Sequence, residues 1–128
     1  MNKPSKKLAK ARALKAMSDY IRQRDNWVCF TCGRRGDKYT MDAGHLISRV
    51  WSATLFDEFN VNCQCKPCNK YRHPADPEIY RQAFIDAWGE SAYHELYRKS
   101  KEPVKRSVDD YLAIEKDFKE RLEGILNV

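Results

Sequence analysis

The sequence predicts an α+β fold, in which a small core of two strands and a helix is held by a four-cysteine zinc site and flanked by helices at both ends. Two observations predict it. Cysteine pairs with CxxC spacing stand at Cys29 and Cys32 and again at Cys65 and Cys68, with short segments rich in β-formers between them. Apolar residues recur every three or four positions on either side of this region, which is typical of amphipathic helices.

Length and composition indicate one globular domain. The chain has 128 residues, of which 42% are hydrophobic and 33% charged. We divide it into a basic helix over 1–26, a zinc-stapled core over 27–90, and C-terminal helices over 91–128 that belong to the same domain or mediate dimerisation. No apolar run approaches the roughly 18 residues that a membrane span requires, so no membrane partner is expected. The basic opening lacks the apolar core of a secretion signal, which predicts a cytoplasmic protein.

Positive charge is concentrated in the N-terminal third. Residues 1–35 contain ten Lys and Arg against two Asp, a net charge of +8, whereas the rest of the chain has a net charge of −2. This asymmetry favours a polyanionic partner. A solvated, solubilising helix face is the alternative explanation.

The first predicted element is an amphipathic helix from Ser5 to about Arg24. Asn26 and the first cysteine pair end it, and the glycines that follow allow the tight turns of a metal knuckle and a hairpin. The apolar stripe of the helix consists of Leu8, Ala11, Leu14, Met17 and Ile21.

Two strands are predicted next. Residues 39–47 are rich enough in β-formers to make one strand, and residues 60–65 make a short second one. The stretch between them is predicted to be a loop with partial helix.

Three helices follow the predicted strands. Asp76 caps the first, which Gly89 ends. The second covers about 91–100, and Ser107 with Asp110 three residues later opens the last. The apolar stripe of the last helix packs on the core or forms a homodimer interface.

The two cysteine pairs have the spacing at which adjacent turns present paired thiolates to one tetrahedral zinc ion. In a reducing compartment an odd number of cysteines with this spacing favours metal over disulfides. Four thiolates saturate zinc, so Cys29, Cys32, Cys65 and Cys68 predict a structural Zn²⁺ without a catalytic role. Pairs that are merely buried or redox-active are the alternative. Cys63 is predicted to be a small buried apolar residue.

A further pattern lies between the two cysteine pairs and just after the second pair. The motif DAGH ends at His45, Asn60 stands five residues before Cys65, and Asn69 directly follows the last cysteine. This order resembles the HNH, or ββα-metal (His-Me finger), endonucleases. More narrowly, MDAGHLISR, FDEFNVNCQCKPCN and YRQAFIDAWGESAYHELY are similar to the phage NinG (Rap) recombination proteins, over roughly residues 18–97.

This resemblance implies an endonuclease that hydrolyses phosphodiester bonds in branched DNA recombination intermediates, such as Holliday junctions and displacement loops. It implies catalytic roles for His45 and Asn60. The near-neutral pKa of histidine suits His45 to take the proton of the attacking water, with its ring oriented by a partner such as a backbone carbonyl of the second strand.

The resemblance also implies a catalytic Mg²⁺ or Mn²⁺, for which oxygen ligands are suited. Gly44 stands where many HNH enzymes have an acidic ligand, so an acidic side chain two residues earlier has to reach the metal. The candidate ligands are Asp42, Asn60, Asn69 and His73.

Several basic residues surround this motif and are candidate phosphate-binding groups, whose DNA affinity should fall with salt. They are Arg34, Arg35, Arg49, Lys66, Lys70 and Arg72. Trp27, Trp51 and Tyr71 are expected to pack in the core, with stacking on unpaired bases as the alternative. No sequence-reading element is evident, which favours recognition of DNA shape.

The sequence is also compatible with two other functions. One is a non-catalytic zinc-knuckle nucleic-acid-binding protein, in which the DAGH motif has only a structural role. The other is an HNH nuclease of broad substrate range, like a restriction or colicin-type enzyme.

Overall fold

A computed structural model describes residues 2–127, so the ends of the predicted ranges at Met1 and Val128 lie outside the described part. A 3₁₀ turn separates the two strands, and a π-helical turn follows the second strand. The elements are α1 (Lys6–Arg24), β1 (Met41–His45), the 3₁₀ turn (Ser52–Thr54), β2 (Val61–Cys65), the π-helical turn (Cys68–Arg72), α2 (His73–Ala75), α3 (Pro77–Trp88), α4 (Glu90–Ser100) and α5 (Val108–Leu126). The predicted α+β class is confirmed.

The helix ends follow local side-chain chemistry. The Ser5 hydroxyl accepts from the backbone N–H of Leu8 at 3.1 Å and so caps α1. Ser107 and Asp110 form the reciprocal capping box predicted for α5. Beyond the end of α1, Asn26 adopts a left-handed φ of 54°, which turns the chain away from the helix axis.

The two strands pair antiparallel, with Met41 opposite Cys65 and His45 opposite Val61. Successive residues of β1 face opposite sides of the sheet. Ala43 packs against the α1 core residues, whereas the Asp42 carboxylate lies on the other side, towards the helical segment that follows β2. The sheet therefore presents different chemistry on its two faces.

Helix α5 packs along α1 and covers much of its own apolar stripe in doing so. Tyr111 packs with alanines of α1, and Phe118 packs with Met17 and Ile21. Ile125 and Leu126 near the end of α5 stay exposed. Most of the stripe that suggested a homodimer is thus used within the chain, and the homodimer remains a prediction.

The C-terminal end of α1 is tied directly to β2. The Asp25 carboxylate accepts from the backbone N–H of Cys63 at 2.8 Å, and the Arg24 guanidinium donates to the backbone oxygen of Val61 at 3.0 Å. These bonds hold α1 across the sheet.

Two of the three aromatic residues expected in the core are exposed. Tyr71 is 72% exposed and Trp51 is 40% exposed, with the ammonium of Lys101 lying 3.7 Å from the Trp51 ring centroid. Core packing was therefore the wrong expectation for both. Trp27 is partly buried and packs against the cysteine cluster.

Within residues 2–127 no helix combines the length and apolarity needed to cross a lipid bilayer.

Candidate functional site

The four paired cysteines converge on one point. Their sulfur atoms all lie within 4.8 Å of one another, and Cys32 Sγ is 3.7 Å from Cys65 Sγ. A tetrahedral zinc ion with Zn–S bonds of about 2.3 Å would place its sulfurs about 3.8 Å apart. The donor set and its spacing therefore fit a structural metal ion such as zinc, as the CxxC pairs predicted.

Backbone hydrogen bonds shape the turn that carries the first cysteine pair, Cys29 and Cys32, which forms the first cysteine knuckle. The N–H of Cys29 donates to Arg34 O at 2.8 Å, and the N–H of Gly33 donates to Cys29 O at 2.9 Å. Gly33 has a φ of +78°, a left-handed conformation that other residues rarely adopt. The tight turn that results directs both cysteines of the pair to the same side.

The thiols of the cluster differ in acidity. Burial raises the pKa of Cys65 to about 12. Burial also acts on Cys29, but the hydroxyl of Thr31 and backbone N–H groups outweigh it and lower the pKa of Cys29 to about 6. The Arg72 guanidinium donates to Cys68 Sγ at 3.2 Å, so this predicted phosphate-binding residue is directed at the cysteine cluster.

Cys63 lies outside this metal cluster. It is fully buried beside Cys29 and Met41, and burial followed by the nearby Asp25 carboxylate raises the pKa of its thiol to about 12. It is therefore a neutral apolar residue of the core, as predicted.

His45 ends β1, and its ring is held by the chain that leads to β2. Its Nε2 lies 2.8 Å from the backbone oxygen of Leu55, which leaves Nδ1 free to take a proton when Nε2 carries the hydrogen. The predicted carbonyl partner exists, but it comes from just after the 3₁₀ turn and not from the second strand. Burial, reinforced by the charge of Arg49, lowers the pKa of His45, so the ring is neutral near pH 7.

Asp42 lies on the opposite face of β1 with two polar partners. Its Oδ1 accepts from the ammonium of Lys66 at 2.7 Å, and its Oδ2 accepts from Asn69 Nδ2 at 3.1 Å. Burial alone would raise the pKa of Asp42, but these two hydrogen bonds outweigh it and lower that pKa. The carboxylate is therefore ionised and anchored at neutral pH.

One open groove of about 360 Å³ is lined by residues of α1 and by residues from both faces of β1. Asp42, His45 and Asn69 all line it. Its basic lining residues are Lys15, Arg22, Lys38, Arg49 and Lys66. Asp42 is the acidic residue among the lining residues, so the groove carries a net positive charge.

Of the six phosphate-binding residues predicted from the sequence, Arg49 and Lys66 line this groove. Arg34 and Arg35 instead border a separate depression beside the cysteine knuckle, and Lys70 is exposed. Three basic lining residues were not named individually, namely Lys15, Arg22 and Lys38, although the first two belong to the basic helix predicted over 1–26. Helical periodicity was the available signal, since Lys15, Ser18 and Arg22 repeat along one face of α1.

Asn60 lies outside the groove and is fully buried. Its Nδ2 donates to the backbone oxygens of Ile47 at 3.1 Å and Thr54 at 3.0 Å, and its Oδ1 accepts from the N–H of Ile47 at 2.7 Å. The structure thus does not bring Asn60 together with the other candidate metal ligands. Its contacts brace the loop whose Leu55 carbonyl holds His45.

His73 also lies apart from the groove lining. Its Nε2 is 3.2 Å from the backbone oxygen of Leu46, and its ring packs edge-on against Tyr80. Nδ1 is buried and finds no hydrogen-bond partner in the described part of the chain. Of the four candidate ligands for a divalent cation, the structure therefore unites Asp42 and Asn69 in the groove.

The comparison with protein families settles the relationship of this chain. The family model described as Bacteriophage Lambda NinG protein matches residues 2–127. The chain belongs to the NinG family. No curated protein and no solved structure gave a match.

The NinG match extends past residues 18–97, where the motifs that suggested the family lie. It takes in the whole of α1 and α5, of which α1 lies mostly and α5 wholly outside that range. The helix pair, the cysteine cluster and the groove therefore all fall within the part of the chain that matches the NinG family.

Proposed function

We propose that this NinG-family chain is a metal-dependent endonuclease that hydrolyses phosphodiester bonds in branched DNA. The observation that carries the proposal is the basic groove that is lined by His45, held at Nε2 by the Leu55 carbonyl, and by the hydrogen-bonded pair Asp42 and Asn69. A base, oxygen ligands and positive charge are what this hydrolysis needs in one place.

The oxygen donors of the groove suit a divalent cation. The carboxylate of Asp42 and the amide oxygen of Asn69 are hard ligands of the kind that Mg²⁺ and Mn²⁺ prefer, and these two residues would hold the ion. When bound, the ion supplies Lewis-acid stabilisation of the phosphate and the leaving O3′. The Asp42 carboxylate is ionised for this purpose, as its lowered pKa indicates.

His45 acts as the general base. As the water oxygen forms its bond to phosphorus and the P–O3′ bond breaks, Nδ1 of His45 accepts the water proton. The Leu55 carbonyl fixes the tautomer and stabilises the imidazolium that results. Its lowered pKa keeps the ring neutral before the reaction.

The basic residues bind the DNA backbone. Lys15, Lys38 and Arg49 line the same groove as His45 and would contact phosphates flanking the scissile one. Such contacts carry no base information, which favours recognition of shape. Membership of the NinG family supports branched recombination intermediates as the substrate class.

A cleavage panel tests this function. Linear, forked and four-way DNA are incubated with Mg²⁺ or Mn²⁺ and either the intact protein, His45→Ala or His94→Ala. His94 is the matched control because it is exposed on α4, outside the groove lining. We expect His45→Ala to lower the rate about 10²- to 10⁴-fold with unchanged DNA binding, and His94→Ala to cut normally.

Other outcomes would replace the proposal. Cutting of linear DNA as fast as four-way DNA would indicate a nuclease of broad range. Salt-sensitive binding without cutting at any metal concentration would indicate a non-catalytic zinc-knuckle DNA-binding protein. Undiminished cutting by His45→Ala would remove His45 as the base.

A further inference from the structure

The glycine of the DAGH motif leaves a small space that two side-chain amides border. A Cβ atom at Gly44 would overlap Gln64 Oε1 and would lie 2.9 Å from Asn69 Oδ1. Both amide oxygens therefore border the position that a Cβ at residue 44 would take, on the face of β1 that carries Asp42. Any larger residue at position 44 would displace them.

Gln64 has an unusual environment for a polar side chain. It is 1% exposed, and its Nε2 donates to Thr31 Oγ1 at 3.2 Å. Its Oε1 is buried without a hydrogen-bond donor among residues 2–127. Leaving a buried acceptor unpaired destabilises the protein, so a state that supplies a donor is favoured.

Asn69 is the neighbour that can supply this donor. Its Nδ2 donates to Asp42 Oδ2, while its Oδ1 points to the space beside Gly44. Half a turn of the amide exchanges its nitrogen and oxygen with little change in shape. The N–H group then faces Gln64 Oε1, and the oxygen faces the Asp42 carboxylate.

We propose that Gln64 is a positioning residue that selects the metal-ligating orientation of Asn69. The proposal rests on the proposed function, in which Asp42 and Asn69 hold Mg²⁺ or Mn²⁺. A cation on the Asp42 carboxylate attracts the amide oxygen of Asn69 and repels its N–H group. Gln64 Oε1 accepts that N–H group, which makes the ligating orientation less costly.

The position of Gln64 is itself fixed from the cysteine cluster. Thr31, which accepts from Gln64 Nε2, lies between two metal-binding cysteines, and its Oγ1 is 3.4 Å from Cys29 Sγ. The zinc knuckle thus holds Gln64, and Gln64 orients Asn69. Thr31 and Gln64 connect the two metal centres through side chains alone.

Mn²⁺ binding to the zinc-loaded full chain, without DNA, tests the proposal. Electron paramagnetic resonance of free Mn²⁺ gives the affinity, and zinc content with the melting temperature reports folding. We expect Gln64→Leu to weaken Mn²⁺ binding about 3- to 10-fold, the effect of one lost hydrogen bond. Gln64→Met is the second variant, should leucine fail to fold.

The decisive arm uses an Asn69→Asp background. A carboxylate offers oxygen on both sides and has no N–H group to orient, so Gln64→Leu should no longer weaken Mn²⁺ binding there. An equal loss in both backgrounds would assign Gln64 a purely structural role and overturn the proposal.

Two further measurements separate the proposal from its premise. If Asp42→Asn leaves Mn²⁺ binding unchanged, the proposed metal site itself is wrong. If Asp42→Asn abolishes binding but Gln64→Leu binds like the intact protein, only the role of Gln64 is refuted.

In the intact protein, NMR should show the Asn69 side-chain N–H protons exchanging more slowly with water when Mg²⁺ is added. Unchanged exchange alongside shifted groove resonances would contradict the proposal.

Discussion

The cysteine cluster and the groove are both candidate metal centres, but they are built differently. The cluster takes four identical soft ligands from two short CxxC turns, so local spacing determines its geometry. The groove combines side chains from α1, from β1 and from the turn after β2. A site built from local turns can be predicted from the sequence, whereas a site built from several helices and strands depends on how these elements pack.

The two centres nevertheless share a segment of chain. Cys68 directs its sulfur into the cluster, and the next residue, Asn69, directs its amide to Asp42. Because adjacent residues serve both centres, a metal ion at the cysteines would also fix the position of Asn69. We therefore expect an asymmetric dependence, in which the groove requires the cysteine cluster but the cysteine cluster does not require the groove.

Removal of zinc should have the largest effect. Strong chelation, or Cys68→Ser, is expected to unfold the core and abolish cleavage, because structural zinc sites contribute about 10–16 kcal/mol and a domain is stable by about 5–15 kcal/mol. Circular dichroism and zinc analysis provide the measurement. The Asp42→Asn variant is the control and should keep both zinc and fold; a chelated protein with its native melting transition would refute the dependence.

Asn60→Asp should have the next largest effect. Aspartate lacks the N–H groups that Asn60 donates to the carbonyls of Ile47 and Thr54, so the free energy of unfolding should fall by at least about 2 kcal/mol. Urea denaturation measures the loss. A metal ligand would behave in the opposite way, since aspartate would tighten Mn²⁺ binding at little cost in stability.

Loss of a basic groove residue should have a moderate effect on DNA affinity. Lys38→Ala removes one positive charge from the groove lining. The association constant for DNA falls with salt, and the slope of its logarithm against log salt concentration should become less steep by about 0.9 for duplex arms. Binding titrations at several salt concentrations measure the slope. Arg34→Ala, beside the cysteine knuckle, is the matched control, and an equal change for Arg34 would place the DNA on the knuckle.

The smallest expected effect is on pH dependence. His45 must be neutral to accept a proton, so cleavage should be lost as pH falls through its pKa, which burial and Arg49 place below the ordinary value of 6.5. Arg49→Gln removes the opposing charge and should move this acid limb upwards by a fraction of a pH unit. Single-turnover rates between pH 5 and pH 8 measure the shift, with Arg35→Gln as the control; a downward shift would contradict the electrostatic explanation.

Much of the fold could be predicted because its signals are local. The capping residues Ser5, Asp76 and Ser107 begin the helices that were expected from them. Exposure was harder to predict, since Tyr71 and Trp51 are apolar enough for a core yet lie on the surface. The type of residue determines how favourable its burial is. The packing of neighbouring elements determines whether there is an apolar surface against which the side chain can be buried.

The candidate site was predicted in part. His45, Asp42 and Asn69 were expected to act together and do line one groove, whereas Asn60 braces a loop and His73 lies apart. Sequence order placed all five near the same motif. It did not show which of them turn away from the groove, because that depends on strand register and on the contacts made by the loop between the strands.

The sequence by itself determined the cysteine cluster, the order of the elements and membership of the NinG family, because these depend on short-range spacing and on residue identity. Only the tertiary structure decided that α1 forms a wall of the groove, that Leu55 orients His45, and that Gln64 and Asn69 meet beside Gly44. The physical reason is that those contacts join residues distant in the chain, and their geometry follows from the packing of α1, the two-stranded sheet and the turn after it.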